Sequence, residues 1–248
     1  MTPVYHVFRA FLDVLFPPRC VICFAYLPPH KALCDSCRAK TFIESTLVCG
    51  ECRARLPAAV RAKAGTSQRA PGPRSKCHPH FPYLLGAATR YHDPIPRELI
   101  LALKFRHVSD AAAELGRFLE AYAARLSLPR KRAVIAPVPL GYWRQRRRGY
   151  NQAERIARVL APQLGLPLRT DLLFRIKATK PQSEARDHAM RKKNVAGCFQ
   201  ADSAKLAGIQ TVILIDDVVT SGATFKEAAI ALKQAADVQV IALAAAHA

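Results

Sequence analysis

Two sets of residues in this 248-residue chain have types and spacing that could do chemistry. The first is a series of cysteine pairs. Cys20/Cys23, Cys34/Cys37 and Cys49/Cys52 each follow C-x2-C, and Cys77-His78-Pro79-His80 closes the series. A C-x2-C turn lets two thiolates reach one tetrahedral ion at about 2.3 Å per sulfur, and two such turns complete a structural zinc site. Cys20, Cys23, Cys34 and Cys37 form the first candidate site. Cys49, Cys52, Cys77 and His80 form a second, with His78 an alternative ligand. One or two structural zinc ions are therefore expected, with no open coordination position. The plain alternative, a buried thiol acting as a small apolar side chain, suits the lone Cys198 best. A redox pair is disfavoured, because it would open a helix after a strand and one pair would suffice.

The second set lies in "VILIDDVVTSGAT", Val212 to Thr224. An apolar run enters two acids, Asp216 and Asp217, then Val218, Val219, Thr220, Ser221, Gly222, Ala223 and Thr224 lead toward a helix. Gly222 permits a tight turn or a close approach to a ligand. Free backbone N–H groups at a loop and a helix start attract a phosphate, aided by the helix dipole. Thr220, Ser221 and Thr224 add hydroxyl donors. Acids repel a phosphate, so they make sense if the ligand carries a sugar: two carboxylates can accept hydrogen bonds from vicinal ribose hydroxyls while the loop holds the 5′-phosphate. Magnesium could bridge those hydroxyls and a diphosphate. Neither G-x4-G-K-[ST] nor G-x-G-x-x-G occurs, so the common nucleotide cradles are disfavoured. The plain reading is a helix start with two solvated acids.

Cations accompany these acids. The formal charge is +20, from 38 Lys and Arg against 18 Asp and Glu. That favours a polyanionic partner, nucleic acid or a heavily phosphorylated small molecule, although charge alone does not separate the two. "YWRQRRRGYNQ" sets Arg144, Arg146, Arg147 and Arg148 beside Tyr142, Trp143 and Tyr150 and reads as a mobile loop. Arginine forks suit diphosphate oxygens and nucleic-acid backbone alike, and Trp143 could stack on a base. "RDHAMRKKN", from Arg186, reads as a second basic loop. Lys104, after an apolar helical stretch, could reach a diphosphate with Arg144 and Arg148.

The elements that must position these groups follow from composition. Seven of the eight cysteines precede residue 80. We place a boundary near Phe81 to Leu84, giving an N-terminal helix with a double zinc ribbon over 1–82 and a second domain over 83–248. Val4, Val7, Phe8, Phe11, Leu12 and Leu15 have helical spacing, stopped by Pro17-Pro18. Arg53 to Lys76 reads as a solvated loop, with a nucleic-acid-binding arm the alternative. Beyond the boundary, strand-like "YLLGAATRY", "AVIAPVPL", "TVILIDDV" and "VQVIALAAA" alternate with helix-like "PRELILALKFR", "DAAAELGRFLEAYAARL" (capped by Asp110), "YNQAERIARVLAPQLG" and "ATFKEAAIALKQAA". Such alternation predicts an α/β fold, a mostly parallel twisted sheet flanked by helices. No apolar run approaches the roughly 18 residues of a membrane helix, and no secretory signal is legible. A cytoplasmic protein without a membrane span is expected, where paired cysteines bind metal rather than form disulfides.

"VILIDDVVTSGAT" resembles the phosphoribosyl-pyrophosphate signature of type I phosphoribosyltransferases, and more closely the ComF family of competence-associated proteins. The resemblance extends through "FPPRCVIC", "LKF" at Leu103–Phe105, "PVPL…RRRGYNQAERIA" from Pro137 and "PQSEARDHAMRKKNVAGCF" from Pro181. It implies a double zinc ribbon followed by a phosphoribosyltransferase-like domain. It puts Asp216 and Asp217, as the catalytic acids, on the ribose hydroxyls of phosphoribosyl pyrophosphate, and Thr220 to Thr224 on its 5′-phosphate. The chain departs from the family pattern in the long Arg53–Lys76 loop, in His80 for a cysteine and in Ser221 for a threonine. Two functions stay open: phosphoribosyl transfer, with no legible acceptor or general base, and a non-catalytic DNA-binding or adaptor protein whose sugar-phosphate site is a sensor or relic. The family's link to natural transformation implies partners among single-stranded DNA and the proteins of DNA uptake and recombination.

Overall fold

Val212 to Ile215 and Val240 to Ala246 are almost without exposed surface, the burial that inner strands of a parallel sheet require. A computed structural model describes residues 17–48, 55–56, 83–177 and 197–248. The strands are β1 (Leu47–Val48), β2 (Arg55–Leu56), β3 (Leu84–Arg90), β4 (Ala133–Pro137), β5 (Leu173–Arg175), β6 (Phe199–Ala201), β7 (Thr211–Val219) and β8 (Gln239–His247). The helices are α1 (Asp35–Ala39), α2 (Pro94–Phe105), α3 (Ala111–Ala123), α4 (Tyr142–Arg148), α5 (Gln152–Leu164) and α6 (Ala223–Ala235). Six strands form one sheet in the order β2-β1-β3-β8-β7-β4. Its β3-β8-β7-β4 portion is parallel, while β1 pairs antiparallel with β2 and β3. The expected mostly parallel sheet flanked by helices is thus observed. A separate antiparallel ribbon joins β5 to β6.

Strand alternation divides the core between the two faces. Ile213 and Ile215 pack with Leu99, Leu115 and Ile156 of α2, α3 and α5, whereas Val212 and Leu214 pack with Phe225, Ala228 and Leu232 of α6. Helix ends follow local chemistry. The Asn151 side chain caps α5 by accepting from the Ala153 N–H, and Gly165 closes it at φ 63°. Asp110 stands at the N-cap of α3 but makes no side-chain capping bond.

The cysteine-bearing segment shares the core of the helical face: Leu33 and Leu47 are fully buried with α3. Arg38 forks onto the Glu114 carboxylate of α3 at 2.9 and 3.0 Å, and Arg117 adds a bond at 2.7 Å. Glu114 has no exposed side-chain surface, so its charge depends on these two guanidiniums. The Tyr122 hydroxyl donates to the Thr46 carbonyl at 2.7 Å. A Cβ at position 86 would stand 2.6 Å from that hydroxyl oxygen, so glycine lets Tyr122 lie against β3.

The structure corrects two expectations: Arg55–Leu56, inside the Arg53–Lys76 stretch read as a solvated loop, form strand β2 paired with β1, and Tyr142 to Arg148 is the helix α4, not a loop. It buries none of its residues, and so carries no apolar stripe by which periodicity could reveal it. The expected N-terminal helix, Cys49, Cys52, Cys77, His78 and His80, the stretch 57–76 and the basic segment from Arg186 lie outside the described residues. Among the described residues no helix is long and apolar enough to cross a membrane.

Candidate functional site

β7 stays extended through Val219, so Asp216 and Asp217 sit within the strand, at the carboxyl end of an inner parallel strand. Open α/β sheets bind ligands at such ends. The two side chains meet different partners. Asp217 is buried, and its Oδ1 lies 2.9 Å from Lys104 Nζ in the last turn of α2. Asp216 is half-buried and accepts the Asp217 backbone N–H at 2.8 Å. Loss of solvent and the neighbouring Asp217 charge push the Asp216 carboxyl up to about 7, against the pull of that N–H, Lys104 and Arg144. A carboxyl so placed exchanges its proton near neutral pH.

After the acids the chain turns at Gly222, buried and left-handed at φ 76°, a conformation glycine adopts without a Cβ penalty. Its carbonyl accepts both the Tyr83 hydroxyl at 3.0 Å and the Lys226 N–H at 2.9 Å. The Val219 carbonyl accepts the Ala248 N–H at 2.9 Å. The loop is therefore pinned from β3's approach, from α6 and from the end of β8. Ser221 Oγ accepts the Ala223 N–H at 3.4 Å. The first-turn N–H groups of α6 have no acceptors within their helix and carry the positive end of its dipole, beside the Thr220 to Thr224 hydroxyls. That arrangement can hold a phosphate.

Cations close the cleft. Arg148, in the last turn of α4, donates to Gln152 Oε1 at 3.0 Å and lies 5.4 Å from the Phe105 ring centroid. Burial lowers its pKa, and Asp217 opposes the shift. Arg144, exposed on α4, acts on Asp216, as does Lys104. Lys104 thus meets Asp217 directly, while the charges of Arg148 and Arg144 bear on Asp217 and Asp216. The structure adds Arg175 of β5, which sequence reasoning missed. Arg175 packs over Gly141, where a Cβ would stand 3.5 Å from its Nε, and its charge responds to Arg144 and Asp216. A three-residue strand with no alternating pattern gave no signal for it. Tyr83, the anchor of the Gly222 turn, was missed because its partner lies 139 residues away. On the outer side of α4, Tyr142 and Trp143 are 58% and 53% exposed, with ring centroids 5.6 Å apart.

The first cysteine cluster is separate from this cleft. The sulfurs of Cys20, Cys23, Cys34 and Cys37 all lie within 4.8 Å of one another, with Cys23 and Cys34 at 3.6 Å. A tetrahedron with 2.3 Å metal–sulfur bonds has sulfur–sulfur edges of about 3.8 Å, so the set fits zinc. Burial works against the Cys20 thiolate, but backbone N–H groups of Cys23, Cys34 and Ile22 outweigh it and bring Cys20 down to about 6. Burial first, then the sulfurs of Cys34, Cys23 and Cys20, push Cys37 up to about 12. Four thiolates this close repel one another, and a divalent cation removes that repulsion. The site is closed and structural in form.

Comparisons with known proteins return a family model, relatives and solved structures. A family model described as a double zinc ribbon domain matches residues 11–65. The DNA utilization protein YhgH of Salmonella typhimurium is 32% identical, over 90% of this chain and 95% of the relative. Competence protein F of Haemophilus influenzae is 30% identical, over 84% of this chain and 88% of its own. Among solved structures, a Bacillus subtilis glutamine phosphoribosylpyrophosphate amidotransferase complexed with ADP and GMP overlays 56% of this chain and 26% of its own, at 20% identity and a TM-score of 0.39.

Proposed function

The chain belongs to the ComF family, with competence protein F and the DNA utilization protein YhgH, and on that premise we propose that it binds phosphoribosyl pyrophosphate with magnesium at the carboxyl end of β7. One observation carries the reading: the pinned Gly222 turn presents the start of α6 next to two acids of an inner parallel strand, one of them paired with Lys104 of α2. Thr220 to Thr224 take the 5′-phosphate, Asp216 and Asp217 the ribose hydroxyls, and Lys104, Arg144 and Arg148 the diphosphate. In this reading residues 83–248 are a phosphoribosyltransferase-like domain behind the ribbon of residues 1–82.

The donor set suits magnesium of a particular kind. Lys104 already holds Asp217, so Asp216 and nearby hydroxyls offer too few oxygens for an all-protein octahedron. They suit an ion that arrives on substrate phosphates and keeps several waters. Bound there, it would neutralise diphosphate charge. The chain's own cations do the same electrostatic work as the diphosphate leaves C1′ through a cation-like transition state. Thermal melting tests the binding: phosphoribosyl pyrophosphate with magnesium raises the melting temperature in a concentration-dependent way. No shift at millimolar ligand contradicts the assignment.

A second reading is favoured by α4, whose exposed Tyr142 and Trp143 stand among Arg144, Arg146 and Arg147. Arginines interleaved with aromatic rings suit the stacking and backbone contacts of single-stranded DNA. The cleft then serves as a sensor within a DNA-handling protein that works with uptake and recombination partners. Turnover assays against free bases separate the two readings. Binding to a single-stranded oligonucleotide falls steeply with salt if the second holds, and Trp143→Ala weakens it.

A further inference from the structure

Gln152, the first residue of α5, is 1% exposed, yet its Nε2 meets no acceptor among the described residues. Chemistry fixes which end of its amide points where. Arg148 Nη1 lies 3.0 Å from Gln152 Oε1, and a guanidinium only donates, so the carbonyl oxygen must face it. The amide nitrogen is the end left over. Arg148 Nε, in the same hydrogen-bonded pair, is likewise buried without an acceptor. A buried donor that meets nothing costs stability, and native folds keep few of them. Two chains of contacts place this pair at the cleft. Asn151, the N-cap of α5, donates through Nδ2 to the Val138 carbonyl at 3.0 Å, and the Val138 N–H donates to the Ile215 carbonyl at 2.9 Å, one residue before Asp216. On the other side the Tyr150 hydroxyl donates to the Leu103 carbonyl at 2.5 Å, and the Arg148 guanidinium lies over the Phe105 ring. Both neighbours of Lys104 therefore hold the joint between α4 and α5, and Lys104 itself meets Asp217 at 2.9 Å.

From this placement we infer that Gln152 is a further binding residue of the cleft: its amide nitrogen, beside Arg148, donates to an oxyanion oxygen of the diphosphate of phosphoribosyl pyrophosphate. The pair presents unspent N–H donors, which call for a ligand atom that accepts, and a phosphoryl oxygen is such an atom. The start of α5 adds to the attraction, because the first-turn N–H groups of this 13-residue helix carry its positive dipole end. The acid of that turn, Glu154, is paired with Arg158 at 2.6 Å and so opposes the anion little. A neutral amide suits the position. It accepts from Arg148 on one side and donates to the ligand on the other, whereas a carboxylate would hold Arg148 and repel the ligand. Access needs a small rotation of α4, which buries none of its residues and joins α5 through the left-handed Gly149 at φ 74°. The inference rests on the cleft being a sugar-phosphate site.

Calorimetry on the full chain tests it with two probes, magnesium pyrophosphate and ribose 5-phosphate, on wild type, Gln152→Met and Gln152→Glu. Methionine keeps the length of the side chain but removes its donor and its acceptor. Glutamate keeps an acceptor for Arg148 and puts a negative oxygen where the amide nitrogen stood, so it separates a residue that only holds Arg148 from one that touches the ligand. Gln152→Met weakens pyrophosphate by about tenfold, the loss of one hydrogen bond to a charged group, and Gln152→Glu weakens it further. Ribose 5-phosphate binds all three proteins alike. Pyrophosphate binding to Gln152→Glu as tightly as to wild type overturns the inference, since holding Arg148 is then the whole role. Undiminished binding to Gln152→Met, a loss confined to ribose 5-phosphate, or a wild type that binds ribose 5-phosphate but not pyrophosphate also overturns it. A wild type that binds neither removes the underlying sugar-phosphate reading instead. Should the variants fail to fold, nuclear magnetic resonance on wild type carries the test: the Gln152 side-chain amide protons move downfield when magnesium pyrophosphate is added, and stay in place if they meet no oxyanion.

Discussion

Lys104 Nζ lies 2.9 Å from Asp217 Oδ1, tying the last turn of α2 to the end of β7. Both side chains are largely withdrawn from solvent, at 19% and 10% exposure. The pair thus couples the helical face of the sheet to the ligand cleft. It also holds a cation next to the site proposed for a diphosphate.

Breaking that pair has a definite signature. Lys104→Met leaves the Asp217 charge buried without its partner, which costs about 3 kcal/mol. Adding Asp217→Asn removes the stranded charge and recovers most of the loss. Urea unfolding at unchanged m-value measures both steps. Binding of magnesium pyrophosphate stays weak in the double variant, since the cation is gone.

Asp216 sets a pH dependence whose sign is fixed. Its carboxyl rises from an ordinary value near 3.8 to about 7 on folding, so the folded state holds the proton more tightly than the unfolded chain between those values. Stability therefore falls as pH rises from about 4 through 7. Asp216→Asn abolishes that slope and melts higher than wild type at pH 8, by a few degrees. Melting curves from pH 4 to 8 on both proteins check this.

The ribbon's attachment depends on a buried carboxylate. Glu114→Gln removes the charge that Arg38 and Arg117 share and lowers stability by about 2–4 kcal/mol. Arg117→Gln costs less, because Arg38 keeps its forked contact. Chemical denaturation of both variants tests the ranking.

Metal content tests the cysteine cluster. Cys34→Ser withdraws one of four ligands and the acceptor of the Cys37 N–H. The variant loses one zinc per chain relative to wild type, with a melting temperature lower by roughly 10 °C. Equal zinc in both proteins removes the site.

What the sequence disclosed depends on how local each signal is. The run Val212 to Ile215, the turn at Gly222 and the helix from Ala223 are contiguous, so pattern and glycine chemistry were enough to read strand, loop and helix in order. The Cys20 to Cys37 cluster was legible because its two C-x2-C turns each carry the geometry within four residues. Arg175 and Tyr83 were not legible. Each reaches the cleft from a separate strand or its approach, and only tertiary packing brings it to Gly141 or Gly222. No local signal marks Glu114 as buried, because its partner Arg38 is 76 residues away. The direct pairing of Lys104 with Asp217 rather than Asp216 was likewise hidden, since adjacency in sequence suggests a shared task while strand geometry separates neighbours.

Titration calorimetry with phosphoribosyl pyrophosphate and magnesium, on wild type and on Asp216→Ala/Asp217→Ala, bears most directly on the proposed cleft. Wild type binds with a stoichiometry near one, and the double variant binds at least tenfold more weakly. Equal affinity in the two proteins, or no binding by wild type, would show that the end of β7 does not hold the sugar phosphate.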